Sequence, residues 1–161
     1  MKIPFNKIYY EGRELLYIKD AMKRGSISGD ENYTQLVAEF LERKFSINKL
    51  LMTTSATHAL EMAAILIDIR QGDEVIMPSF TFPSTANAIM LRGGVPVFAE
   101  IGEYTLNIDP LDIKNKITDK TKAILPVHYG GVSCQMDEIM EIATENNLFV
   151  IEDVAQAVNS K

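Results

Sequence analysis

From Lys49 onward, short apolar runs of strand length alternate with segments patterned as helices, and this alternation constrains the fold more than any other feature of the chain. Strand, helix, strand repeats of this kind build a parallel sheet whose crossovers lie on its faces. The runs are Leu50–Thr53, Val75–Met77, Val95–Ala99, Thr121–Val127 and Leu148–Ile151. Helices are expected between them over Ala56–Asp68, Ser84–Leu91, from Asp109 to Lys116, and Met136–Glu145. Asp109 followed by Pro110 is the signature of an N-cap with proline at the first helical position. The last run, Leu148–Ile151, is wholly apolar, the pattern of a strand covered on both faces. The expected fold is α/β, a mostly parallel sheet of five strands with helices on both faces.

The first fifty residues read differently. Met1–Tyr10, with Pro4, Phe5, Tyr9 and Tyr10, is expected to be an extended arm. A helix from Gly12 to Lys23 would carry Leu15, Ile18 and Met22 on one stripe, and a second from Tyr33 to Lys44 would carry Tyr33, Val37, Phe40 and Leu41. Both are amphipathic and are therefore expected to cover something. Composition narrows the partners. A net charge of −6 without long single-sign blocks argues against a nucleic-acid groove or a polybasic membrane surface, and leaves small molecules or proteins. Cys134 is the only cysteine, so neither an internal disulfide nor a cysteine-based zinc site can be built; no metal site is expected, and a reducing, cytoplasmic compartment is the simplest expectation. The start MKIPFNKIYYEG has no signal-peptide pattern, and no run has the length of a membrane span.

In open α/β sheets ligands bind at the carboxyl ends of the strands. Four turns there hold the polar residues that are not plainly surface. In Thr53-Thr54-Ser55-Ala56-Thr57-His58, hydroxyls and backbone N–H groups at a helix start could converge on a phosphate, or Ser55 or Thr57 could simply cap the helix. No Walker loop and no G-x-G-x-x-G is present. In the second turn, Phe80 and Phe82 could offer a stacking face for a flat cofactor, but taken alone they favour the core. The third turn, Val127-His128-Tyr129-Gly130-Gly131, allows close backbone approach, and His128 could shuttle a proton or serve as a structural hydrogen-bonder. Cys134 is expected to be a small packed residue. In the fourth, Glu152-Asp153-Val154-Ala155-Gln156, a carboxylate at the end of an apolar strand must meet water, a cation or hydrogen-bond donors. A protonated pyridine nitrogen is such a cation, and Gln156 could return over the same ring; Asp153 could equally cap a following helix.

Taken together and in this order, TTSATHALEMA, GDEVIMPSFTFPSTANA, LPVHYGG and VIEDVAQA resemble the DegT/DnrJ/EryC1/StrS family of pyridoxal-phosphate sugar aminotransferases. PSFTFPSTANAIMLRGG with PVHYGGVSCQMD is most similar to the transaminases that make dTDP-4-amino-4,6-dideoxygalactose. The resemblance implies the aspartate-aminotransferase-like fold (fold type I), with 1–48 as an N-terminal arm and helices and 49–161 as an incomplete cofactor-binding large domain. It implies pyridoxal 5'-phosphate as cofactor, glutamate and a dTDP-4-keto-6-deoxyhexose as substrates, and a homodimer or pairing with a complementary chain. Carried over by position, Thr57 and the backbone of His58 fall at the cofactor phosphate, and Phe82 on the ring that stacks on the pyridine. Asp153 falls on the partner of the pyridine nitrogen, Gln156 on that of the ring hydroxyl, and His128 in a turn near the substrate.

The family's lysine that holds the cofactor covalently lies in a later segment, and Lys161 is too close to Asp153 to be that residue. The C-terminal small domain is likewise expected to be absent. On this expectation the chain alone has no catalytic residue, binds the cofactor weakly and turns nothing over. Two alternatives belong to other classes: a non-catalytic half-domain that serves as a binding or assembly module, and an α/β enzyme that uses Asp153 to hold a metal.

Overall fold

The first apolar stripes form helices α1 (Glu14–Arg24) and α2 (Asn32–Phe45) in the computed structural model, which describes residues 2, 4, 7–25 and 27–160. Phe5 and Lys161 lie outside the described residues. Gly12 is not helical. It takes a positive φ of 92°, and the N–H groups of Glu11 and Gly12 donate to the Glu14 carboxylate, each at 2.9 Å, so the chain folds over the start of α1. The helix closes on Gly25 in the left-handed region, whose N–H returns to the Met22 carbonyl. Tyr33 of α2 meets Tyr17 of α1 edge to face at 5.7 Å and donates its hydroxyl to Asp20 at 2.9 Å. Neither helix buries a residue, and Leu15, Ile18, Met22, Val37 and Phe40 stay exposed. Met1–Met52 and Thr53–Lys161 are separate compact units.

The second unit is a parallel sheet of four strands in the order β2-β1-β3-β4, with β1 at Glu74–Pro78, β2 at Val95–Ala99, β3 at Thr121–Ile124 and β4 at Phe149–Val150. Alternation along the strands divides the core. Val75, Met77, Ala123 and Leu125 pack on one face with Leu60 and Ala64 of α3 (Ala56–Leu66) and Ala88 and Ile89 of α4 (Pro83–Met90). Ile76 and Ile124 point the other way, to Ile113 of α5 (Pro110–Lys116) and Ile139 and Ile142 of α6 (Met136–Glu145). The α/β class and the helices on both faces are as expected. Asp109 caps α5 by accepting the Leu111 N–H at 2.9 Å, and α6 has the expected bounds. Gly94 allows α4 to run into β2: a Cβ there would lie 2.7 Å from Ile89 and 2.8 Å from Ile69.

Two expectations fail. Leu50–Thr53 is not a strand: it has no ladder partner among the described residues, Leu51 and Met52 are exposed, and the Leu50 N–H donates instead to the Glu42 carboxylate at 2.8 Å. An apolar run of strand length becomes a strand only where a neighbour offers its backbone. The last strand is also not covered on both faces. Among the described residues β4 is an edge strand that pairs with β3 alone through two residues, and Phe149 is 51% exposed.

Candidate functional site

The carboxyl ends of β3 and β4 run on as irregular backbone that stays in register. Val127 and Asp153 form a parallel bridge; Asp153 donates its N–H to the Pro126 carbonyl at 2.9 Å, and His128 donates its own to the Asp153 carbonyl at 3.2 Å. Asp153 is therefore fixed by backbone on the β3 side before its side chain does anything. That side chain is only 8% exposed. Its Oδ1 accepts the Ala155 N–H at 3.1 Å and its Oδ2 the Thr85 hydroxyl at 3.2 Å. Among the described residues no cation pairs with it. A buried carboxylate held only by neutral donors retains the capacity to receive a positive group.

The α3 start is a capped helix end. Ser55 accepts the His58 N–H at 3.2 Å, so the capping alternative holds at Ser55, while the His58 ring engages Thr54 Oγ1 through Nδ1 at 2.5 Å. Thr57 turns to α4 and bonds the Ser84 hydroxyl at 2.8 Å. The other N–H groups of the first turn are those that a helix leaves without an internal partner. Phe80 and Phe82 are not in the core. Phe82 is the N-cap of α4, a position outside the packed face, and is 72% exposed; Phe80 rests partly on Tyr129, with ring centres 4.5 Å apart. A large exposed ring held at a helix start is available to stack on a planar partner.

His128 is buried and has both ring nitrogens engaged. The Cys134 N–H donates to Nδ1 at 3.1 Å, which places the proton on Nε2, 3.0 Å from the Glu152 carboxylate. In this arrangement His128 ties its own turn to the residue before Asp153. Cys134 is packed, as expected: its thiol donates to the Val127 carbonyl at 3.3 Å. Burial first, and the Glu152 charge second, push its pKa up to about 11, so it stays a thiol at neutral pH. Gln156 accepts the Gly130 N–H through Oε1 at 2.8 Å, which turns its NH2 donors the other way.

The structure thus brings Asp153, Gln156 and His128 together where β3 and β4 end, and joins Thr57 and Asp153 to α4. The connecting residues are Ser84 and Thr85. Their signal is weak, since hydroxyls after Pro83 at a helix start look like ordinary capping, although a fully buried Thr85 does not face water. A cleft of about 600 Å³ lies at the opposite, amino ends of the strands, lined by Asp73, Lys120, Lys122 and Asn147 among others. Of its two lining acids, Asp73 is paired with Lys122 and Asp119 lies in a solvent-facing loop. Among the described residues no three His, Cys, Asp or Glu side chains converge as metal ligands, and no helix is long and apolar enough to cross a membrane.

Comparison with known proteins gives the family and the fold. SpsC, the spore coat polysaccharide biosynthesis protein of Bacillus subtilis (strain 168), is 39% identical over 156 residues, covering 97% of this chain and 40% of that protein. A GDP-perosamine synthase of Escherichia coli O157:H7 is 36% identical over 159 residues, covering 99% of this chain and 44% of its own. The chain spans about two fifths of the length of these curated relatives. Among solved structures, NtdA from Bacillus subtilis with bound cofactor PMP aligns with a TM-score of 0.86 at 34% identity, covering 89% of this chain and 33% of that one. These neighbours place the sheet and its helices in the fold of the type I pyridoxal-phosphate aminotransferases. The model of the DegT/DnrJ/EryC1/StrS aminotransferase family matches residues 10–161, and the chain belongs to that family.

Proposed function

We propose that the chain is the N-terminal part of a pyridoxal-phosphate-dependent nucleotide-sugar aminotransferase, which passes an amino group from glutamate to the keto carbon of a dTDP-4-keto-6-deoxyhexose. The observation that carries this is Asp153, a carboxylate 8% exposed at the carboxyl edge of the sheet and held, among the described residues, only by neutral donors. The bound PMP of NtdA supports the choice of cofactor. The residues fit the group. Asp153 would keep the ring nitrogen protonated, Phe82 would lie on the ring, and the free NH2 of Gln156 would donate to the ring oxygen. Thr57 and the His58 N–H would receive the phosphate, which must share that N–H with the Ser55 hydroxyl or displace it. When bound, the cofactor supplies an electron sink for the substrate carbon from which a proton is removed. His128 would act on this chemistry only by holding the turn that faces the substrate.

In this proposal 49–161 is the first part of the cofactor-binding large domain, and a small domain and the cofactor-holding lysine complete the enzyme. The chain alone then binds the cofactor weakly and reversibly. Titration followed by absorbance, with borohydride treatment and mass spectrometry, tests this; a pyridoxyl group fixed to one lysine of the chain would overturn it. The nucleotide is the finer question, because one relative is named for GDP-perosamine. Assays of the complete enzyme with glutamate and dTDP- or GDP-linked 4-keto-6-deoxy sugars decide it, and turnover of neither would sink the substrate assignment.

We also propose self-association or pairing with a complementary chain. Among the described residues β4 has a partner on one side only, and an unpaired edge favours added strands. A monomer by size-exclusion, indifferent to a co-expressed C-terminal partner, would count against it.

A further inference from the structure

We infer that the first turn of α4 is a positioning element for the cofactor bed, with Thr85 as the residue that sets the Asp153 carboxylate; the inference rests on the cofactor reading above. Three of the positions in that reading are keyed to this one turn. Phe82 is its N-cap, Ser84 bonds Thr57 of α3 at 2.8 Å, and Thr85 donates to Asp153 Oδ2 at 3.2 Å. The partners are far apart in sequence, 27 residues for Ser84 and 68 for Thr85, so the turn joins pieces of chain that nothing local holds together.

The direction of the hydroxyl chain follows from proton counting. An ionised carboxylate only accepts, so Thr85 commits its single proton to Asp153. Thr81 Oγ1 lies 2.9 Å from Thr85 Oγ1, and with the Thr85 proton used, Thr81 must be the donor of that bond. The result is a relay, Thr81 to Thr85 to Asp153, that points both of its O–H dipoles toward the carboxylate. Thr85 is fully buried, which denies water as a substitute donor. Oδ1 is held independently by the Ala155 N–H at 3.1 Å. Two donors on two oxygens fix the carboxylate plane, and losing either frees it to rotate about its terminal torsion. Thr85 touches neither the substrate nor the ring in this scheme; it acts through Asp153.

The test uses the chain with Thr85→Val, which keeps shape and removes the hydroxyl, and Thr85→Ser, which keeps the hydroxyl. The first measurement needs no cofactor: hydrogen exchange of the Ala155 amide, whose acceptor is the same carboxylate. The second is the affinity for pyridoxal phosphate, compared with Asp153→Ala. Thr85→Val is expected to speed Ala155 exchange about tenfold relative to neighbouring amides and to weaken cofactor binding about fivefold, with Thr85→Ser restoring both. Ser84→Ala is expected to weaken binding without moving Ala155. Unchanged Ala155 exchange in Thr85→Val, or no rescue by serine, overturns the inference. If Asp153→Ala binds poorly while Thr85→Val binds like the parent, the inference fails and the cofactor reading stands. If Asp153→Ala binds like the parent, both fail. Should Thr85→Val not fold, Thr81→Val at the half-buried outer hydroxyl carries the same measurements with smaller effects in the same direction.

Discussion

The two ends of the sheet both carry carboxylates and treat them oppositely. At the amino ends Asp73 pairs with the Lys122 ammonium at 3.0 Å and accepts the Arg70 N–H at 2.9 Å, and Asp68 receives the Arg70 guanidinium at 2.8 Å. At the carboxyl ends Asp153 is less exposed than either of these and, among the described residues, has only a hydroxyl and an amide. The first arrangement is closed: Asp73 and Asp68 each have a cation, and the pair ties β3 and the α3–β1 connection together. The second is open. A carboxyl group this buried, with a hydroxyl and an amide as its partners, retains the capacity to receive a positive group. Among the described residues, then, Asp73 and Asp68 are matched by cations and Asp153 is not.

Asp153→Ala breaks the comparison most sharply. Affinity for pyridoxal phosphate is expected to fall about a hundredfold, roughly 3 kcal/mol, by loss of a charge pair to the ring nitrogen. Stability by urea titration should be unchanged or slightly raised, because the variant no longer buries an unpaired acid. Asp73→Asn should do the reverse, lowering stability and leaving affinity intact. Equal losses of stability in the two variants would remove the distinction between the ends.

This distinction was half legible in the sequence. The strands β1 and β2 and the helices α5 and α6 follow from local pattern, and Asp153 was marked by its place after an apolar run. What the local pattern could not supply was pairing. Leu50–Thr53 and Leu148–Ile151 look alike as apolar runs, yet one finds no ladder and the other two residues of one, because a strand is made by a neighbour distant in sequence. Hydrophobicity alone also put Phe80 and Phe82 inside, whereas a helix N-cap lies outside the packed face. Ser84 and Thr85 were hidden for the same reason in reverse: hydroxyls at a helix start are common, and only contacts across 27 and 68 residues separate these from caps.

Smaller effects sharpen the contrast. Phe82→Ala removes a ring that the fold leaves 72% exposed, so stability should move by no more than about 0.5 kcal/mol. Cofactor affinity should fall about fivefold, near 1 kcal/mol, through lost stacking. A stability loss well above that limit would show the ring to be structural. Lys122→Met acts on the other end. Its pair with Asp73 is about three-quarters withdrawn from water, and its removal is expected to cost about 1 kcal/mol of stability with no change in cofactor affinity.

The smallest expected effect is a pH dependence that belongs to the amino ends. Asp73 is held below the usual aspartate value of 3.8, first by the Arg70 N–H and then by the Lys122 ammonium, against the opposing effect of burial. A carboxyl group with a depressed folded-state pKa takes up a proton more readily when the chain is unfolded. Its stabilisation is therefore complete above the unfolded value of 3.8 and is lost as pH falls from there through the lower, folded value. The side-chain amide that Asp73→Asn introduces does not titrate. The difference in urea midpoint between parent and variant should be constant at neutral pH and shrink below about pH 4. Asp68 is also held low, chiefly by Arg70, and titrates in both proteins, so it cancels in the difference. A difference that grew on acidification would mean that the Lys122 pair opposes folding, and that the closed end of the sheet is not closed by charge.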